Sequence, residues 1–211
     1  MDTEDFISKY PAVWHLADDA SWPSIQRNGL LSTSEIVRRW EVAEVDAQAL
    51  LSRRRDKALA LDHAEHGRAV LRDQHPLSEE RLAPILTDGM TVEGWLRMLN
   101  SFVFFFPSEA GLRRMYGAYG SQPVIVLKVR TRTLVREHGA RVRLAGINTG
   151  NTERRPALRG ADTFLPIRRY AHTKRKVQEV VVMEAVTDLA DHLISVERWH
   201  PNGSVEPVPP T

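Results

Sequence analysis

Apolar residues recur along this chain with two periods. Val92, Trp95, Leu96 and Leu99 repeat at i, i+3, i+4 and i+7, and Leu112, Met115, Tyr116 and Tyr119 form a second such stripe. Each segment reads as an amphipathic helix. Ile36, Val37, Trp40, Ala43, Ala47, Leu50 and Leu51 fall near the same spacing, which predicts one or two helices from Ser34 to about residue 72. Ser78 is placed to cap another helix, with Leu77 and Leu82 as its hydrophobic staple. A short helix with Ser21 as cap and Pro23 in its first turn is expected to stop at Asn28-Gly29, where glycine tolerates a positive φ.

The second period is that of strands. Val13–Ala17, Phe102–Phe106, Val124–Leu127, Arg141–Leu144, Val177–Met183 and Leu193–Val196 read as strands, with Arg141–Leu144 alternating like an edge. Residues 146–170 are polar, basic and weakly patterned, the character of a functional loop. Helices dominate the first half and antiparallel strands the second, so the fold class is α+β. One domain is expected over residues 1–200, with a helical insertion at about 34–100. Residues 201–211 are proline-rich, without a core-forming pattern, and are expected to be a flexible tail.

Composition narrows the chemistry. The chain has no cysteine, which excludes disulfides and thiolate metal sites. The start, Met1-Asp2-Thr3-Glu4-Asp5, is acidic and unlike a secretory leader. No apolar run approaches the roughly 20 residues needed to span a bilayer. A cytoplasmic protein without membrane contact is expected. His63 and His66 lack a third ligand placed by spacing, so no metal is expected. Walker, G-x-G-x-x-G and G-x-S-x-G patterns are absent. The formal charge of +2 conceals a bipolar chain, since Lys128 to Lys176 holds fourteen Lys or Arg against three acids.

Directly after that basic stretch comes Glu179, which shares a strand face with Val177, Val181 and Met183. A carboxylate there costs desolvation free energy unless it is paired or borders a wet cleft. Two readings follow from the residues alone. Glu179 pairs with Lys174, Arg175 or Lys176 at an exposed strand end, or it is the acid of a site for an anionic ligand.

Three separated segments carry a resemblance. Trp14-His15-Leu16-Ala17 with Ser24-Ile25-Gln26-Arg27-Asn28-Gly29-Leu30-Leu31 resembles the opening of NAD-using ADP-ribosyltransferases of the DarT type. It is also similar to that of the RNA 2′-phosphotransferases, which share their fold. Phe102-Val103-Phe104-Phe105-Phe106-Pro107 stands where those enzymes have an aromatic second strand. Gln178-Glu179-Val180-Val181-Val182 resembles the late strand bearing their catalytic glutamate. The DarT pattern has Thr two residues after the His, where this chain has Ala17.

The resemblance implies an ADP-ribosyltransferase-like split antiparallel β-sandwich and NAD as co-substrate. It implies Glu179 and Arg72 as catalytic residues, and His15, Ser24, Gly29, Leu30, Phe104 and Arg72 as cofactor contacts. The basic loop stands where the family recognises its acceptor. Asn148, Arg154, Arg155, Arg159, Arg168, Arg169, Lys174 and Arg175 are the expected contacts to a DNA or RNA acceptor. The family likeness further implies a toxin or phage-defence role, with an antitoxin as a possible partner. Two alternatives stay open: an NAD-dependent RNA 2′-phosphotransferase, and a catalytically inactive nucleic-acid-binding module of the same fold.

Overall fold

The computed structural model of the chain describes residues 1–117, 122–153, 157–171 and 176–209. Tyr119, Arg154, Arg155, Lys174 and Arg175 lie outside them. In chain order the helices and strands begin with α1 (Thr3–Lys9), β1 (Ala12–Asp18), α2 (Trp22–Asn28), β2 (Leu30–Leu31), α3 (Thr33–Arg39) and α4 (Glu44–Ser52). A hairpin follows, β3 (Leu59–His63) and β4 (Gly67–Leu71), then α5 (Glu79–Leu82), α6 (Val92–Asn100), β5 (Phe102–Phe105) and α7 (Glu109–Tyr116). The remainder is β6 (Val124–Arg130), α8 (Thr131–His138), β7 (Val142–Ala145), β8 (Glu179–Met183), β9 (Ala185–Val186), β10 (Leu193–Trp199) and β11 (Val205–Pro207).

The expected α+β class is observed. Two antiparallel sheets form the body, one ordered β1-β6-β10-β11 and the other β5-β8-β7. Their inward-facing residues, including Val13, Ile125, Leu127, Val103, Phe105, Val180 and Val182, belong to one buried cluster. Strands β1 and β5 are stitched where Trp14 N–H donates to the Phe106 carbonyl at 2.9 Å and Phe106 N–H to that of Trp14 at 2.7 Å. A second cluster on the other face of the β5-β8-β7 sheet joins Phe102, Val181 and Ala145 to Trp95, Leu96 and Phe164.

Several expectations need correction. Residues 59–71 form the β3–β4 hairpin rather than a helix. Gly67, at φ 79°, allows a turn that a helix would not contain, and His63 and His66 stack across it at 4.8 Å. Ser21 precedes α2 but does not cap it; its hydroxyl accepts from Val70 N–H at 2.9 Å and ties the hairpin to the body. Helix α8 forms where the chain shows no helical period, its apolar residues Leu134 and Val135 being too few to mark one. Within the expected tail, residues 205–207 pair with β10 as an edge strand. Their side chains are all exposed, so backbone pairing organises them without an apolar pattern. No described helix is long and apolar enough to cross a membrane.

Candidate functional site

Glu179 is the first residue of β8, opposite Ala145 on β7. It is half-buried, and both carboxylate oxygens are held by one residue. Thr149 donates its backbone N–H to Oε1 at 3.0 Å and its hydroxyl to Oε2 at 2.6 Å. Thr149 is itself fully buried. Burial pushes the Glu179 carboxyl up to about 7, against the opposing pull of the two Thr149 bonds and the positive charge of Arg159. Near neutrality both protonation states are populated.

Arg159 builds the loop that presents Thr149. It is 1% exposed, and its guanidinium donates to the carbonyls of Ala157 (2.7 Å), Asn148 (3.2 Å), Thr149 (3.4 Å) and Asn151. Burial lowers its pKa, with Glu179 opposing. The expectation that Arg159 contacts a nucleic-acid phosphate is therefore corrected, because its donors are spent on backbone carbonyls. Asn148 is exposed beside it, while Arg168 and Arg169 are exposed on the turn at 167–169. Arg169 lies 3.5 Å from Asp162. A cavity of about 360 Å³ beside this loop is lined by Ile147, Leu158, Leu165 and Tyr170, together with Asp88 and Asp162. Two acids make it a poor phosphate site.

His15 lies on β1 with its Nδ1 2.8 Å from the Phe104 carbonyl. A carbonyl only accepts, so Nδ1 carries the proton and Nε2 is left as an acceptor. Desolvation lowers the imidazole pKa, partly offset by the Phe104 bond. Continuing the β5–β8 register from Phe105 opposite Val180 puts Phe106 opposite Glu179. Since Trp14 pairs with Phe106, the backbones carrying His15 and Glu179 lie roughly two strand spacings, ~10 Å, apart across the seam between the sheets.

The other expected cofactor residues are placed differently. Phe104 turns its ring toward Phe102 and Phe164, with centroids at 6.2 and 6.3 Å, and only its carbonyl reaches His15. Ser24 is buried and accepts from Asn28 Nδ2 at 3.3 Å. Gly29 takes φ 74°, and a Cβ there would sit 2.2 Å from the Val186 carbonyl oxygen. Leu30, 2% exposed, pairs with Val186. Ser24 and Leu30 are thus buried, and Gly29 lies against Val186. Arg72 lies 3.9 Å from Asp18 and 3.6 Å from Asp73. That puts it at the far end of β1, roughly 10 Å along the strand from His15 and away from Glu179.

The sequence reading missed Thr149 as the residue that holds Glu179. Its only sequence signal is a short polar turn, Asn148-Thr149-Gly150-Asn151, inside the basic loop. With this geometry established, comparison places the chain: it belongs to the family of unknown function DUF7002, whose model matches residues 11–193. No curated protein matches it.

Proposed function

We propose that this chain is an NAD-dependent ADP-ribosyltransferase acting on a nucleic-acid acceptor, with Glu179 as its catalytic carboxylate. The observation that carries the reading is the half-buried Glu179 at the start of β8, gripped by Thr149 and set across the sheet seam from His15. Both groups present hydrogen-bond acceptors, to which ribose hydroxyls can donate. Cleavage of a nicotinamide–ribose bond develops positive charge on the sugar, as in glycoside hydrolysis. A fixed carboxylate offsets that charge without reorganising during the reaction. His15 orients the ribose through Nε2, and Arg72 binds phosphate at the far end of β1. The split β-sandwich of this enzyme class belongs to the same proposal, supported by the two antiparallel sheets joined at Trp14 and Phe106. The exposed Asn148, Arg168 and Arg169 favour a polyanionic acceptor.

The test is incubation with NAD labelled in its adenylate moiety and separate pools of DNA, RNA and protein, beside Glu179→Gln. Transfer of label to nucleic acid by the wild type alone supports the proposal. Loss of a 2′-phosphate from RNA would replace it with the phosphotransferase reading. Nucleic-acid binding without NAD binding or nicotinamide release would replace it with a binding module, the reading that Ala17 favours.

A further inference from the structure

At the opposite end of β8 from Glu179, roughly 13 Å along the strand, three side chains distant in sequence converge. His138 ends α8, Asp188 follows β9, and His192 precedes β10. One ligand-type atom from each lies within 4.8 Å of the other two. His138 Nε2 is 2.7 Å from Asp188 Oδ1, and His192 Nε2 is 3.1 Å from Asp188 Oδ2. His138 is 6% exposed and His192 0%. Among the described residues neither ring nitrogen of His192 makes a hydrogen bond, although Nε2 approaches Asp188. An imidazole buried with both nitrogens unsatisfied loses its hydration without replacement.

We propose that His138, Asp188 and His192 bind a divalent transition-metal ion, Zn²⁺ being the best fit. Two imidazole nitrogens and one carboxylate oxygen are a common zinc donor set, and a fourth position is left for water. Asp188, whose side chain is 32% exposed, leaves the cluster in contact with solvent. The ion would satisfy a ring nitrogen of His192 and pin the end of α8 to the start of β10. Its distance from Glu179 separates it from the proposed transferase chemistry.

One neighbour opposes it. Arg141 Nη2 donates to His138 Nδ1 at 2.6 Å, which fixes the proton of a neutral ring on Nε2 and directs it to Asp188. Coordination through Nε2 requires Arg141 to release Nδ1. The Glu184 carboxylate, 3.9 Å from Arg141 Nη1, is the partner that can hold the guanidinium instead. The proposal departs from the expectation of a metal-free chain, the ligands coming from positions that no local spacing connects.

The test uses the tag-free full chain, cleared of metal by a chelator and dialysed. Titration with Co²⁺ is expected to show one ion per chain, with visible absorption stronger than that of the aqueous ion. Zn²⁺ in excess is expected to raise Tm by roughly 5 °C or more, since it binds only the folded state. Asp188→Asn and His192→Gln are each expected to weaken binding at least about tenfold, and Arg141→Gln to tighten it several-fold. Imidazole proton resonances of wild-type His138 and His192 should shift on adding Zn²⁺, a readout that does not depend on any variant folding. Unchanged resonances, absent saturable binding, or equal binding by folded Asp188→Asn and His192→Gln would overturn the proposal.

Discussion

Thr149 holds both oxygens of Glu179, its N–H donating at 3.0 Å and its hydroxyl at 2.6 Å. The grip does not cancel the cost of burial, which leaves the carboxyl at about 7 against an ordinary 4.5. Between those values the folded chain binds more proton than the unfolded chain. The stability contributed by the protonated form is therefore complete below about pH 4.5 and lost as pH rises through about 7.

Glu179→Gln keeps the shape and removes the charge. It is expected to be more stable than wild type by about 1–3 kcal/mol at pH 8 and nearly neutral at pH 5. Urea denaturation at both values measures this. An equal effect at the two values would show that charging Glu179 costs the fold nothing.

Thr149→Val removes the shorter of the two bonds and keeps the backbone one. Hydrogen bonds to the ionised form lower a carboxyl pKa, so the Glu179 pKa should move upward in the variant. Carboxyl ¹³C shifts followed through a pH titration report it, and an unmoved midpoint would place the hydroxyl outside the electrostatics of the site.

Arg159→Ala leaves at least three loop carbonyls without their donor. The expected loss is about 3 kcal/mol, and Arg159→Lys should recover little of it, because an ammonium cannot span the same carbonyls. If nucleic acid binds, Arg168→Ala should lower the slope of log K against log salt by about 1. Arg159→Lys should leave that slope unchanged.

Gly29→Ala would drive a Cβ to 2.2 Å from the Val186 carbonyl oxygen at a φ of 74°. A loss of more than about 2 kcal/mol is expected from clash and backbone strain together. Thermal unfolding of the variant checks it, and a Tm within a degree of wild type would contradict the close approach.

His15 should remain neutral at pH 6.5, its burial outweighing the Phe104 bond. ¹⁵N spectra are expected to show the Nδ1–H tautomer throughout the neutral range. A cationic ring at pH 6.5 would remove the acceptor on which its proposed ribose contact rests.

Much of the scaffold is legible in the chain. The stripe Val92–Leu99 becomes α6, whose Trp95, Leu96 and Leu99 are buried, and the strand-like runs become β1, β5, β6, β7, β8 and β10. Ser78 caps α5 through Arg81 N–H, and Gly29 ends α2 as its neighbours demand. Glu179 stands out for the same reason, a charge interrupting an apolar strand.

Local periodicity determines these features because each depends on neighbours within a few residues. It is silent on partners far along the chain. Sequence by itself could single out Glu179 but not Thr149, thirty residues away, as the group that holds it. It could count Arg159 among exposed cations, when folding wraps the loop around its guanidinium. It could not bring His138 to Asp188 across fifty residues. Burial, tautomer and carboxyl pKa are set by what surrounds a group in space, and only the tertiary structure decides that.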